Sequence, residues 1–255
     1  MKKFLKTLEF AIWMYWNVFY MWSYYTKVNK LRAKGVIPEE IEAINSLQNT
    51  WGTRVLNHYK VKFNVTGLEK VPKEPVLFVS NHQSYADIPL FVAAIDRQIG
   101  FIAKAELSRI PIFGSWIRAV RSVFIERDDA RASLKAIEQG TEYLNLGYTM
   151  GVFSEGTRSR GPKLQEFKKG SLRLAVKSGV KVVPVAINGS YRSYEEKGYP
   201  QPCDIDFAIL DPIDTLNLSK HEASNLSEIV ENIIREKLIE LQGEGSPNKV
   251  SEVLI

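Results

Sequence analysis

Seven short apolar runs, at 60–66, 75–80, 100–104, 122–126, 148–153, 181–187 and 204–210, alternate with helical patterns at 87–96, 129–146, 168–178 and 222–242. Runs of this length bounded by turn residues read as strands, and strands that alternate with helices specify an α/β fold. Asp128 or Asp129 is placed to cap the helix at 129–146, and Gly147 to end it. The last helix sets Leu226, Ile229, Ile233, Leu238 and Leu241 among charges, the pattern of a surface helix with a structural role. At 255 residues and 45% hydrophobic, the chain can bury one core of ordinary size. The expected architecture is therefore a single α/β domain over 59–242, a central, mostly β core flanked by helices. An N-terminal helical hairpin over 1–58 precedes it, and a tail over 243–255 begins with Gly243-Glu244-Gly245-Ser246-Pro247.

The hairpin opens with an apolar run from Leu8 to Tyr25 that holds nine aromatics, Trp13, Trp16 and Trp22 among them. Lys2, Lys3 and Lys6 precede it, and Lys27, Lys30, Arg32 and Lys34 follow. Tryptophan and tyrosine prefer the membrane interface to its centre. A simple span needs ~20 apolar residues, and this run is interrupted by Glu9 and Asn17. Cations at both ends favour a helix that dips into one leaflet with its lysines on anionic headgroups. A spanning helix and a buried core helix stay open. No small-residue cleavage site follows the run, which argues against a signal peptide. Ile37 to Val55 reads as the second helix, with Pro38 near its start, acids Glu39, Glu40 and Glu42 early, and Ile41, Ile44, Leu47, Trp51 and Val55 at helical spacing. Its apolar face either packs on the domain or touches lipid.

The chain has three histidines, His58, His82 and His221. Only His82, in Asn81-His82-Gln83-Ser84-Tyr85-Ala86-Asp87 just after Val76-Leu77-Phe78-Val79, has a carboxylate placed to orient it from the following turn. A His–Asp pair at the end of a strand suggests acid–base chemistry on a hydroxyl. Ser84 lacks the Gly-x-Ser-x-Gly elbow of a nucleophilic serine. Ser84 to Asp87 also fits a loose capping box for the segment Ile88 to Ala94. The two readings are compatible, since a cap can fix the turn that presents the imidazole.

A second constellation follows the buried strand Tyr148-Thr149-Met150-Gly151-Val152-Phe153, which empties into Ser154-Glu155-Gly156-Thr157-Arg158-Ser159. Glycine permits a tight turn there, and arginine offers a planar fork for phosphate oxygens. The plainer alternative is a solvated Glu155–Arg158 ion pair, worth under ~1 kcal/mol. Two other strand-like runs end in cations, Lys104 and Arg127.

Taken in order, Asn-His-x4-Asp, then Phe-Ile-Glu-Arg at 124–127, then Phe-Ser-Glu-Gly-Thr-Arg-Ser at 153–159, then Val183-Pro184-Val185-Ala186-Ile187, the chain resembles the glycerolipid acyltransferases, most nearly the lysophosphatidic acid acyltransferases. The resemblance implies transfer of an acyl group from acyl-CoA or acyl-carrier protein to the hydroxyl of 1-acyl-glycerol-3-phosphate, with no acyl-enzyme. It also implies His82 as general base and Asp87 as its orienting partner. Arg127 and Arg158, helped by Lys104, would meet the acceptor's phosphate, and Glu155, Gly156 and Thr157 would shape that pocket. Backbone N–H groups near Gly156 or after Pro184 are candidates for the oxyanion. The chain departs from the family pattern at Arg121, where glycine is usual, at Glu126, where aspartate is usual, and at Ser154, where proline is usual. These departures bear on the exact acceptor more than on acyl transfer.

The net charge of +5 suits an anionic partner such as a headgroup, CoA phosphates or an acidic carrier protein. The basic residues are scattered and match no nucleic-acid motif, so nucleic acid is not an expected partner. With no HExxH, paired CxxC, P-loop or GxGxxG, neither a metal nor a nucleotide cofactor is implied. The single cysteine, Cys203, precludes an internal disulfide and is compatible with a reducing cytoplasm. The expected location is the cell membrane, peripheral or monotopic on its cytoplasmic face. An acyltransferase for glycerol-3-phosphate or another lysolipid, a non-catalytic lipid-binding protein and a soluble hydrolase using Ser84 or water are the alternatives.

Overall fold

The computed structural model describes residues 2–126 and 129–243. In order, the chain forms α1 (Lys2–Tyr20), α2 (Trp22–Lys34), α3 (Ile37–His58), β1 (Val61–Thr66), β2 (Val76–Ser80), α4 (Asp87–Ala94), β3 (Gly100–Lys104), α5 (Phe113–Ala119), β4 (Val123–Ile125), α6 (Ala130–Asn145), β5 (Met150–Phe153), α7 (Arg173–Ser178), β6 (Lys181–Asn188), β7 (Cys203–Ile209) and α8 (Lys220–Gly243). The seven strands join one sheet in the order β1-β7-β6-β2-β5-β3-β4. The five from β6 to β4 run parallel, while β7 pairs antiparallel with β6 and parallel with β1.

Central strands of a parallel sheet are covered on both faces and so read as unbroken apolar runs. Strand β2 is buried at every position. Val76 and Phe78 point to one face, where α3 and α4 add Leu56, Leu90 and Phe91. Leu77 and Val79 point to the other, covered by α6, α7 and α8 through Ala136, Leu174, Val230 and Ile234. Asp129 caps α6 as expected, accepting from the N–H groups of Arg131 and Ala132. On the first face α3 lies so close to α4 that a Cβ at Gly52 would come within 2.6 Å of the Pro89 carbonyl oxygen, which only glycine allows.

The expected N-terminal hairpin is built from three helices, because a break at Met21 divides the first. No proline or glycine marks that break. Helix α5 is an element additional to those expected, seven residues long with Gly114 in its first turn. Val18, Met21 and Val28 join Ala43, Ile44 and Leu47 of α3 and Trp116 of α5 in a third apolar cluster, which docks the segment on the domain. The carboxylate of Glu40 is 1% exposed and receives Arg32, both Nε and Nη2 of Arg121, and the Tyr148 hydroxyl at 2.8–3.0 Å. Beyond this docking, α1 leaves Phe4, Leu5, Ile12, Trp16 and Phe19 exposed. Trp13, on its inner side, stacks on the His58 ring with centroids 3.9 Å apart. None of the described helices is long and apolar enough to cross a membrane.

Candidate active site

The loops that follow parallel strands gather at the carboxyl edge of the sheet. Adjacent strands whose connections leave to opposite faces open a crevice there. Strands β2 and β5 are such a pair, since β2 leads to α4 on one face and β5 to α7 on the other. Ser80 and Phe153 are in register, so His82 and Glu155 stand at matching positions beyond them. The Ser154 N–H donates to the Ser80 carbonyl, that of His82 to Glu155 Oε1 at 2.7 Å, and that of Ser159 to the His82 carbonyl at 2.7 Å. The two loops are thus laced together past the end of the sheet. A proline at 154, as in the family pattern, could not donate the first of these bonds.

His82 and Asp87 meet. The imidazole Nδ1 is 2.7 Å from Asp87 Oδ2, and its ring stacks on Phe153 with centroids 4.1 Å apart and planes 17° from parallel. The same Oδ2 accepts the backbone N–H groups of Gln83 and Ser84 at 2.7 and 2.9 Å. One carboxylate oxygen therefore closes the turn and holds the ring, which combines the capping and orienting readings. Half of the capping box forms: Asp87 accepts from Ser84 N–H, but the Ser84 hydroxyl receives Ala86 N–H instead of that of Asp87. That hydroxyl is also 2.9 Å from Ser193 Oγ and fully buried, a poor setting for a nucleophile. The Asn81 amide clamps the loop to β6 through both backbone groups of Ile187, and Gln83 Oε1 accepts Gly189 N–H.

Glu155 and Arg158 do not pair with each other. Glu155 is buried, its Oε1 on His82 N–H and its Oε2 on Gln165 N–H. Burial pushes its carboxyl up to about 7; the two N–H donors oppose this, while the nearby charges of Asp87 and Glu231 add to it. Gly156 turns the loop with φ +73°, the left-handed region that favours glycine. Its N–H donates to the Phe153 carbonyl, so it is not available as an oxyanion donor. Val185, after Pro184, is in register with Ser80 and Ile209 inside the sheet. Thr157 is exposed.

Arg158 leaves the loop toward Tyr85, its guanidinium carbon 3.4 Å from the ring centroid and its Nη1 2.6 Å from Glu195 Oε1. Lys104, at the same edge of the sheet on β3, is exposed and paired with Glu106. Arg127 lies outside the described residues, as do Asp128 and the tail from 244. Sequence reasoning missed Tyr85, Phe153, Ser193 and Glu195 as site residues. Tyr85 and Phe153 lie within the motifs themselves, whereas Ser193 and Glu195 come from a polar stretch with no spacing signal.

The carboxyl edge of the sheet thus brings together a His–Asp pair and an arginine, an arrangement able to move a proton beside an anionic group. The chain belongs to the acyltransferase family, whose model, described as Acyltransferase, matches residues 62–188. It is 29% identical over 180 residues to the 1-acyl-sn-glycerol-3-phosphate acyltransferase of Borreliella burgdorferi, a match covering 70% of this chain and 72% of that protein. It is 31% identical over 183 residues to a probable 1-acyl-sn-glycerol-3-phosphate acyltransferase of Mycoplasma pneumoniae, covering 67% and 68%. The crystal structure of the 1-acyl-sn-glycerophosphate (LPA) acyltransferase PlsC from Thermotoga maritima is similar with a TM-score of 0.74 at 29% identity, covering 96% of this chain and 100% of that one.

Proposed function

We propose that the protein transfers a fatty acyl group from acyl-CoA or acyl-carrier protein to the 2-hydroxyl of 1-acyl-sn-glycerol-3-phosphate, forming phosphatidic acid. The substrate class comes from what its relatives are named for. The observation that carries the chemistry is the 2.7 Å contact between His82 Nδ1 and Asp87 Oδ2. With Nδ1–H donated to Asp87, Nε2 is the nitrogen left to take a proton. The acceptor hydroxyl attacks the thioester carbon as its proton moves to Nε2, and Asp87 stabilises the imidazolium. The tetrahedral oxyanion then collapses, the C–S bond breaks, and the departing thiolate receives the proton back from His82. The products are an ester and a free thiol.

The acceptor's phosphate is assigned to Arg158, with Arg127 and Lys104 as further cations. Gly156 and Thr157 turn the loop that delivers Arg158, and Glu155 ties that loop to the base. We place the protein peripherally or monotopically on the cytoplasmic face of the cell membrane. This reading is supported by the exposed apolar side of α1 next to Lys3 and Lys6. The domain limits proposed are 1–58 for the membrane-associating segment, 59–242 for the catalytic domain and 243–255 for the tail.

The test is an assay of purified protein with labelled acyl donor and lysophosphatidic acid. His82→Ala should lower kcat by about 10²- to 10⁴-fold, while Ser84→Ala retains much of the activity. Loss through Ser84 alone, or release of free fatty acid without phosphatidic acid, overturns the proposal.

A further inference from the structure

Two arms of the site are joined by a residue that no motif marks. Glu195 follows the short 3-10 turn Ser190–Ser193 after β6, and its side chain is 3% exposed. Its Oε1 accepts the Tyr85 backbone N–H at 3.1 Å and Arg158 Nη1 at 2.6 Å. Its Oε2 is buried with no hydrogen-bond partner among the described residues. Tyr85 belongs to the turn that presents His82, and its ring lies under the Arg158 guanidinium. A buried carboxylate with an unpaired oxygen is costly, and this one makes no contribution to the apolar core that would require it.

We infer that Glu195 is a positioning residue for the acceptor's phosphate, holding Arg158 at a fixed distance from His82 through one oxygen that bridges their two loops. The inference rests on Arg158 being the phosphate's cation, as proposed above. Arginine carries five N–H donors in a rigid fork. Glu195 engages Nη1 and Tyr85 covers one face, which leaves the Nε and Nη2 edge for two phosphate oxygens. The rotamer freedom that a free arginine would lose on binding phosphate is already lost on folding. Because Glu195 partly offsets the charge of Arg158, the arrangement favours geometry over raw attraction. The spacing between the phosphate and the attacking hydroxyl is then set by the bridge, so its loss harms reaction with a phosphorylated acceptor most.

Steady-state kinetics test this on the full chain with acyl-CoA and two acceptors, 1-acylglycerol-3-phosphate and 1-acylglycerol. Glu195→Ala should lower kcat/KM for the phosphorylated acceptor about 10- to 100-fold more than for the unphosphorylated one. Glu195→Gln keeps a bridging oxygen without the charge and should restore most of that loss. In the Arg158→Ala background, Glu195→Ala should add no further loss, since the two act as one unit. Equal losses on both acceptors, additive losses in the double variant, or a Gln variant as impaired as Ala overturn the inference. Should Glu195→Ala fail to fold, Glu195→Asp shortens the bridge while keeping the charge, and its loss must again be greater for the phosphorylated acceptor. An Arg158→Ala variant with unchanged acceptor KM would sink the phosphate assignment itself. An effect of Arg158 without one of Glu195 would sink only the positioning role.

Discussion

Asp87 and Glu155 are both buried beside His82, yet their surroundings differ. Asp87 Oδ2 gathers three N–H groups, whereas each oxygen of Glu155 receives one, and Glu155 also faces the charges of Asp87 and Glu231. Its folded pKa of about 7 lies above the 4.5 of the unfolded chain, so the native state holds this proton more tightly. The stability that follows is fully present below the unfolded value and is lost as pH rises through the folded one. Urea unfolding on either side of this window should show wild type losing roughly 1–3 kcal/mol with rising pH. Glu155→Gln, which cannot titrate, should lack that loss. An identical pH slope in both proteins would show that Glu155 ionises normally.

Between elements, Glu40 is the main polar tie, joining α3 to α2, to the segment before β4 and to the segment before β5. Burial raises its pKa, but Arg121 and Arg32 overcome that and hold it below the usual carboxylate range. Its contribution is therefore present above about pH 4.5 and lost on acidification. Glu40→Ala leaves two arginines uncompensated and should destabilise the fold by about 3–5 kcal/mol, measured by denaturant unfolding at neutral pH. A change below ~1 kcal/mol would mean that water replaces the carboxylate. Arg121 itself sits at φ 60°, a backbone shape that favours glycine. The ion pair with Glu40 holds a side chain in this strained turn.

All seven strands lie within about two residues of their expected limits, and for the central β2 and β6 the reason is two-sided burial, which writes itself as an unbroken apolar run. The His82–Asp87 pair was legible because five residues of local chain connect the two. The break at Met21 carries no glycine or proline, and helix α5 spans only seven residues with Gly114 inside it, too few for apolar spacing to declare a helix. Glu40 read as an ordinary first-turn acid, since its partners Arg121 and Tyr148 are 81 and 108 residues away. Glu195 was invisible for the same reason, lying 37 residues from Arg158 and 110 from Tyr85.

For the whole molecule, the docking of the N-terminal helices changes how membrane attachment is to be tested. Removing residues 1–35 would strip Val18, Met21 and Val28 from a buried cluster and expose Ile44 and Leu47, so a loss of binding could follow from unfolding. Ile12 and Trp16 are 62% and 63% exposed and contribute nothing to that cluster. Replacing both with glutamate should abolish sedimentation with anionic vesicles while leaving the thermal midpoint within a few degrees. Unchanged sedimentation would refute attachment through α1.

The stack of His82 on Phe153 also makes this imidazole observable. A proton held over the face of an aromatic ring is shielded by that ring's current, and the imidazole C–H protons of His82 lie close to such a face. His58 is shielded in turn by Trp13, whereas His221 is exposed on α8. With only three histidines in the chain, their proton resonances separate by environment alone. The protonation of His82 can then be followed spectroscopically as acceptor and donor bind.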